Sequence, residues 1–193
     1  MIPIEIACQQ VLREDSSVFS VQWMTLPARH AGAIAPERLL QRYLAHVERF
    51  TLSLVRPVRG AEGIDFRLIA TRLNLLSLAP PITADDGLTS STILLISGGY
   101  LVQPSECGRG ELSFSIEPCG EGIKVVVRLA DYCPLLLGSH RPSRGRKLLY
   151  RFTQALLHKI VTVRFLVRLY HELEGHGKRV RVVKARGIVG EEI

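Results

Sequence analysis

Two stretches of the sequence hold residue types that do chemistry in other proteins. HELEGH, residues 171–176, offers two histidines and two glutamates. A zinc hydrolase of the His-Glu-x-x-His kind needs its histidines four apart, so that both reach one metal from one helix face. Here His171 and His176 are five apart, which is ~140° around a helix, and Gly175 lies between them where it would end the helix. No metal is expected. GSHRPSRGRK, residues 138–147, has the glycines and cations of a phosphate loop, but six residues separate Gly138 from Gly145 and an arginine precedes Lys147. The spacing and the missing Ser/Thr exclude a phosphate loop of the nucleotide-hydrolase kind. The same stretch still collects charge. Ser143 suits a helix N-cap, and Arg144, Arg146 and Lys147 would then fill a first turn whose dipole favours carboxylates. Either an anion bound by Arg141, Arg144, Arg146 and Lys147 offsets that conflict, or the loop is open and the helix starts a turn later.

Three isolated groups complete the chemical inventory. Asp131 shares the alternation of Val125, Val127 and Leu129. It is either a half-buried carboxylate of raised pKa, fit to act as acid or base, or a turn residue ahead of Pro134; aspartate is seldom buried unpaired. Tyr100, beside Gly98-Gly99, either donates to a ligand or packs with its hydroxyl at a rim. His158 falls one position off an apolar helix stripe, where a surface histidine is the ordinary account.

The elements that must position these groups follow from hydrophobic period. Residues 16–24 (SSVFSVQWM) are β-branched and aromatic, as in a strand. A short helix or turn is predicted near 27–33 and a firmer helix over 36–48, with Pro36 at its start and Leu39, Leu40, Tyr43, Leu44 and Val47 on one face. The period then drops to two. Phe50, Leu52 and Leu54 predict one strand, and Ile64, Phe66 and Leu68 a second. LNLLSLAPPI predicts a third, ended by its prolines, and residues 89–103 a long strand bent at Gly98-Gly99. Leu112, Phe114 and Ile116 against Val125, Val127 and Leu129 predict a hairpin turned at CGEG, with one dry face and one wet. A final helix is predicted from Ser143 to Glu174, ended by Gly175. Residues 1–175 form one domain on this reading, and 176–193 a basic tail or edge strand.

That helix, ~45 Å long at ~1.5 Å per residue, is the one element able to cover about six consecutive strands. Its main stripe, Leu149, Phe152, Leu156, Ile160, Val163, Val167 and Tyr170, is expected to face the sheet. Leu157, Val161, Phe165 and Leu169, beside Arg164 and Arg168, then form a second apolar side, which is expected to meet a partner, most simply a second copy in a homodimer; burial under a strand at 178–186 or seating on an anionic membrane are the alternatives.

The order strand, two helices, about six antiparallel strands, long helix resembles the helix-grip fold of the START/Bet v 1-like (SRPBCC, polyketide cyclase-like) superfamily. GRGELSFSIEPCGEGIKVVVRLADYCPLLLG followed by LLYRFTQALLHKIVTVRFL is similar to its closing hairpin and helix. The resemblance implies an α+β fold whose curved sheet wraps the C-terminal helix. It also implies an apolar ligand, such as a lipid, polyketide or aromatic compound, held between them, in some members with cyclase or hydrolase activity. Walls of such a site would be Phe66, Leu68, Phe114, Val127, Leu129, Phe152, Leu156 and Ile160, with Tyr100 and Asp131 as polar groups; the alternative is that the same side chains fill a solid core. No cofactor is called for.

Composition excludes little else. The chain has 193 residues, 47% hydrophobic and 22% charged, an ordinary globular balance. Cys8, Cys107, Cys119 and Cys133 lack the spacing of a disulfide framework, and the first residues lack the form of a secretory signal, so a cytoplasmic protein with reduced thiols is expected. The net charge of +7 is uneven: residues 1–140 carry 12 Lys and Arg against 14 Asp and Glu, residues 141–193 carry 13 against 4. A basic C-terminal quarter of this kind either suits nucleic acid or anionic lipid as an alternative partner or is a solvated face that binds nothing.

Overall fold

The computed structural model describes residues 4–69, 71–106, 108–138, 142–176, 179–187 and 189–193. The chain is α+β, with a large curved sheet closed around a long C-terminal helix, the helix-grip arrangement. The strands are β1 (Ile4–Leu12), β2 (Val18–Pro27), β3 (Val55–Gly60), β4 (Gly63–Leu68), β5 (Asn74–Leu78), β6 (Ile82–Asp85), β7 (Ser90–Gly98), β8 (Glu111–Cys119), β9 (Gly122–Tyr132), β10 (Val180–Lys184) and β11 (Glu191–Glu192). Their order is β10-β1-β2-β9-β8-β7-β5-β4-β3, with β11 against β1 and β6 against β7. Every pairing is antiparallel except β1 with β10. Pro80-Pro81 break what would be one strand into β5 and β6, because proline cannot donate to a ladder.

The hairpin of β8 and β9 sets the register of the core. Leu112 pairs with Leu129, Phe114 with Val127 and Ile116 with Val125, and the first four of these side chains are buried together with Val125. α1 (Pro36–Phe50) starts at a proline, whose missing N–H costs nothing in a first turn, and buries Leu39, Leu40, Tyr43, Leu44 and Val47. A 3-10 segment, Ala28–Ala33, leads into it.

Three sequence expectations are corrected. Strand β1 joins the sheet ahead of the first predicted strand, and its alternation is hidden because both of its faces are buried. Its outward Val11 packs with Phe19, Val21, Val126 and Ala130 on the convex side. Phe50, Leu52 and Leu54 do not form a strand. Phe50 ends α1, the Thr51 hydroxyl donates to the Val47 carbonyl at 2.9 Å and accepts from the Val55 amide at 3.1 Å, and Leu52 and Ser53 turn through positive φ of 52° and 62°.

The third correction concerns the C-terminal helix. It runs without a break as α2 (Arg144–Tyr150), a π turn (Arg151–Ala155) and α3 (Leu156–Glu174). Leu149, Phe152 and Leu156, expected to face the sheet, are exposed, while Val161, Phe165 and Leu169, expected to face outward, are buried; Tyr170 is buried, Val163 and Val167 pack against the core and Leu157 is exposed, as expected. Apolar residues occupy both sides of this helix, so their period does not choose a side. The neighbours choose: α3 lies between β1–β2 and α1, and Phe165 meets the Tyr43 ring edge-on at 5.3 Å. Three of the four apolar residues of the face offered to a second copy are therefore covered from within the chain, and Leu157 stays exposed. Gly175, at φ 81°, ends α3 and donates to the His171 carbonyl. Beyond it, β10 adds to the sheet edge beside β1. Among the described residues no helix is long and apolar enough to cross a membrane.

Candidate functional site

A cavity of about 190 Å³ opens between the sheet, the end of α1 and the first half of the C-terminal helix. α1 and its cap supply Tyr43, Val47 and Thr51; the sheet supplies Val55, Phe66, Leu75, Leu76, Leu112, Leu129 and Tyr132, with Leu101 from the following loop; the helix supplies Tyr150, Gln154, Leu157, His158 and Val161. Tyr150 immediately precedes the π turn and Gln154 lies within it, a helix irregularity frequent at functional sites. Leu157 is exposed and stands at the mouth.

The walls are mostly apolar, interrupted by the hydroxyls of Tyr43, Thr51, Tyr132 and Tyr150, the Gln154 amide and the His158 imidazole. The Tyr132 hydroxyl donates to the Leu101 carbonyl at 2.8 Å. Burial raises the pKa of Tyr132 well above the ordinary tyrosine range, with Gln154 acting in the opposite direction. Gln154 is thus near that hydroxyl, and both of its amide atoms are enclosed without a hydrogen bond of good geometry; since the hydroxyl proton is given to Leu101, the amide oxygen cannot take it. His158, one helical turn on, has an enclosed Nε2 with no partner. Burial pulls its pKa down to about 4, so the imidazole is neutral near pH 7. An enclosed amide and an imidazole nitrogen without partners are costly groups. Their cost is offset when a guest brings the matching donor or acceptor. Among the described residues the cavity lining holds no carboxylate, thiol or cation.

Of the residues singled out from sequence, Phe66 and Leu129 line this cavity. Phe114 and Val127 are cross-strand partners with no exposed surface, packed in the core beneath it. Leu68 ends β4 and Ile160 lies along α3, both half-buried and outside the lining. Phe152 and Leu156 are on the solvent side of the helix, and Tyr100 is exposed, its N–H donating to the Asn74 carbonyl. Asp131 points away from the cavity and pairs with Arg13. The reason is a β-bulge: Ser20 faces Leu129 but Val18 faces Tyr132, so β9 has one residue too many. Asp131 sits in it at φ 51°. The bulge resets the alternation, turning Asp131 out and Tyr132 in. Tyr132, Tyr150 and Gln154 are among the lining residues that sequence reasoning missed, as is His158, read as a surface residue.

The basic residues before the helix have other partners. Ser143 caps α2 by accepting from the Arg146 amide. The Arg146 guanidinium donates to the carbonyls of Leu136 at 2.8 Å and Leu135 at 3.3 Å, and Lys147 pairs with Glu191. Arg144 is exposed, and Arg141 lies outside the described residues. Among the described residues no group of three or more His, Cys, Asp or Glu is arranged to hold a metal ion.

No model of a known protein family matches the sequence. No curated protein matches it. Among solved structures, the chain is similar to the crystal structure of CalU16 from Micromonospora echinospora, at 12% identity across 89% of this chain and 84% of that one, with a TM-score of 0.35. At so low a score, the site has to be understood from this chain's own residues.

Proposed function

We propose that the protein binds a small, mostly apolar molecule carrying one hydroxyl or carbonyl group, in the cavity between sheet and helix. The observation that carries this is the pairing of an apolar hollow with the enclosed, partnerless Nε2 of His158 and the enclosed, poorly satisfied amide of Gln154. The volume supports a small guest. It is below the ~300 Å³ at which pockets for drug-sized ligands begin, and close to the ~150 Å³ of an engineered cavity that takes up benzene. A single aromatic ring or a short chain fits inside, and a longer molecule would extend past Leu157 at the mouth. A lining without carboxylate, thiol or cation among the described residues supports binding and delivery over turnover.

The test is native mass spectrometry of the purified protein, followed by titration with uncharged naphthol and with naphthalene. Naphthol is expected to bind more tightly than naphthalene by about tenfold, the worth of one buried hydrogen bond. Leu129→Trp, which fills the hollow, is expected to abolish both with an unchanged circular dichroism spectrum. Absence of any binding by the unaltered protein, or equal binding by Leu129→Trp, would overturn the proposal.

A further inference from the structure

A second concave surface follows the seam between α1 and α3 and has a different chemistry from the cavity. It is a groove of about 740 Å³, bordered by Arg49, Arg164 and Arg168, with a smaller hollow beside it that adds Arg42. Four guanidinium groups therefore stand along one seam, and the carboxylate among them is Glu172. Glu172 accepts from Arg168 Nε at 2.8 Å and lies 3.6 Å from Arg42. Arg49 and Arg164 have no carboxylate partner among the described residues; the Arg164 guanidinium instead lies over the Phe50 ring, 5.7 Å from its centre. The charges converge. Burial is the first cause of the lowered pKa of His46, which lies in the groove wall, and Arg168, Arg49 and Arg164 each push it in the same direction.

The rest of the groove is flat and apolar. Phe50 and Val167 contribute to it, and the His171 and His176 rings lie parallel with centres 4.8 Å apart. Several like charges around an apolar floor are unfavourable to hold together unless an anion joins them. Guanidinium forks match phosphate oxygens two at a time, and they and flat rings also stack on planar bodies. This is a different use for the HELEGH stretch than a metal site: its histidines present ring faces, and Arg168 and Glu172 on the same helix face the same groove.

We infer that the groove between α1 and α3 is a binding site for a phosphate monoester with a flat ring system, a mononucleotide being the simplest of that class. The site is separate from the apolar cavity, whose lining shares no residue with the groove.

The experiment is isothermal titration of the full chain with adenosine monophosphate, adenosine and inorganic phosphate at ~150 mM salt, where long-range charge effects are largely screened. Adenosine monophosphate is expected to bind at sub-millimolar concentration, and adenosine and phosphate each about tenfold more weakly or worse. The Arg49→Gln/Arg164→Gln variant removes two exposed side chains and is expected to keep its melting temperature while losing at least about tenfold in affinity. Arg38→Gln, an exposed arginine of α1 outside the groove, is expected to bind as the unaltered protein does. The inference is overturned if adenosine monophosphate does not bind, if the double variant binds equally well, or if Arg38→Gln loses as much.

Discussion

The Gln10 side-chain amide donates a hydrogen bond of 3.2 Å to the carbonyl of Ala155, joining β1 to the last residue of the π turn across 145 positions of sequence. The same amide reaches the Ser20 hydroxyl at 3.1 Å. Gln22 also donates to that hydroxyl, so Ser20 keeps a partner if Gln10 is lost, whereas the Ala155 carbonyl does not keep this one. Gln10→Leu is expected to cost ~1–3 kcal/mol through an under-satisfied buried carbonyl. Urea denaturation measures that loss. Amide hydrogen exchange should quicken around residues 151–159 and stay unchanged in α1; an unchanged exchange rate at the π turn would mean that Gln10 does not hold it.

Which side of the C-terminal helix faces inward can be decided with two phenylalanines. Phe165 is 2% exposed and contacts the Tyr43 and His46 rings, while Phe152 is 66% exposed. Phe165→Ala is expected to destabilise by ~3–5 kcal/mol, the usual result of emptying an aromatic site in a core. Phe152→Ala is expected to stay within ~0.5 kcal/mol of the unaltered protein. Thermal melts of the two variants suffice, and the reverse ranking would restore the facing that the helical period suggests.

The sheet was legible where it has one wet face. Leu112, Phe114 and Ile116 alternate with serines and a glutamate, and Val125, Val127 and Leu129 pair with them as their spacing predicts. β1 was not legible, because Val11 is buried on one face and Gln10, a polar residue, on the other. The cavity was half legible for related reasons. Phe66 and Leu129 follow the alternation of their strands into it. Tyr132 does not, since one extra residue at the Asp131 bulge exchanges inside for outside and no local pattern announces it. Gln154 and His158 were hidden because a helix with leucines and valines all around leaves its inner face to be chosen by neighbours distant in sequence, here α1 and β2.

Gly99 holds the bend where β7 gives way to the loop that carries Leu101 into the cavity wall. Its φ is 116°, and a Cβ added there would come within 2.6 Å of the Leu75 carbonyl oxygen and the Leu76 Cα. These are backbone atoms on a paired strand and cannot step aside. Gly99→Ala is expected to destabilise by more than ~2 kcal/mol and to weaken guests of the cavity, since Leu75 and Leu76 are among its walls. Gly108 gives the comparison. Its φ is 87°, but nothing lies within 4 Å of an added Cβ. Gly108→Ala is expected to cost only the ~1–2 kcal/mol of left-handed backbone. Equal losses in the two variants, read by denaturant midpoint, would show that the close approach at Gly99 has no weight.

Protonation of His158 should set how stability responds to mild acid. Burial holds its pKa in the folded chain at about 4, below the ordinary 6.5. Between these values the unfolded chain binds a proton that the folded chain refuses, so stability falls as pH drops from 6.5 toward 4, and the group has no effect above that window. The residue as a whole is half-buried although its Nε2 is enclosed, so about 3 kcal/mol is a ceiling on the loss. His46, whose pKa is also lowered by burial, acts in the same direction. His158→Phe is therefore expected to flatten the decline without erasing it, and the pair His46→Phe/His158→Phe to flatten it further. The measurement is the denaturation free energy at half-unit steps from pH 7.5 to 4.5. If His158→Phe declines as steeply as the unaltered chain, the imidazole is open to water, and its nitrogen is no enclosed group awaiting a guest.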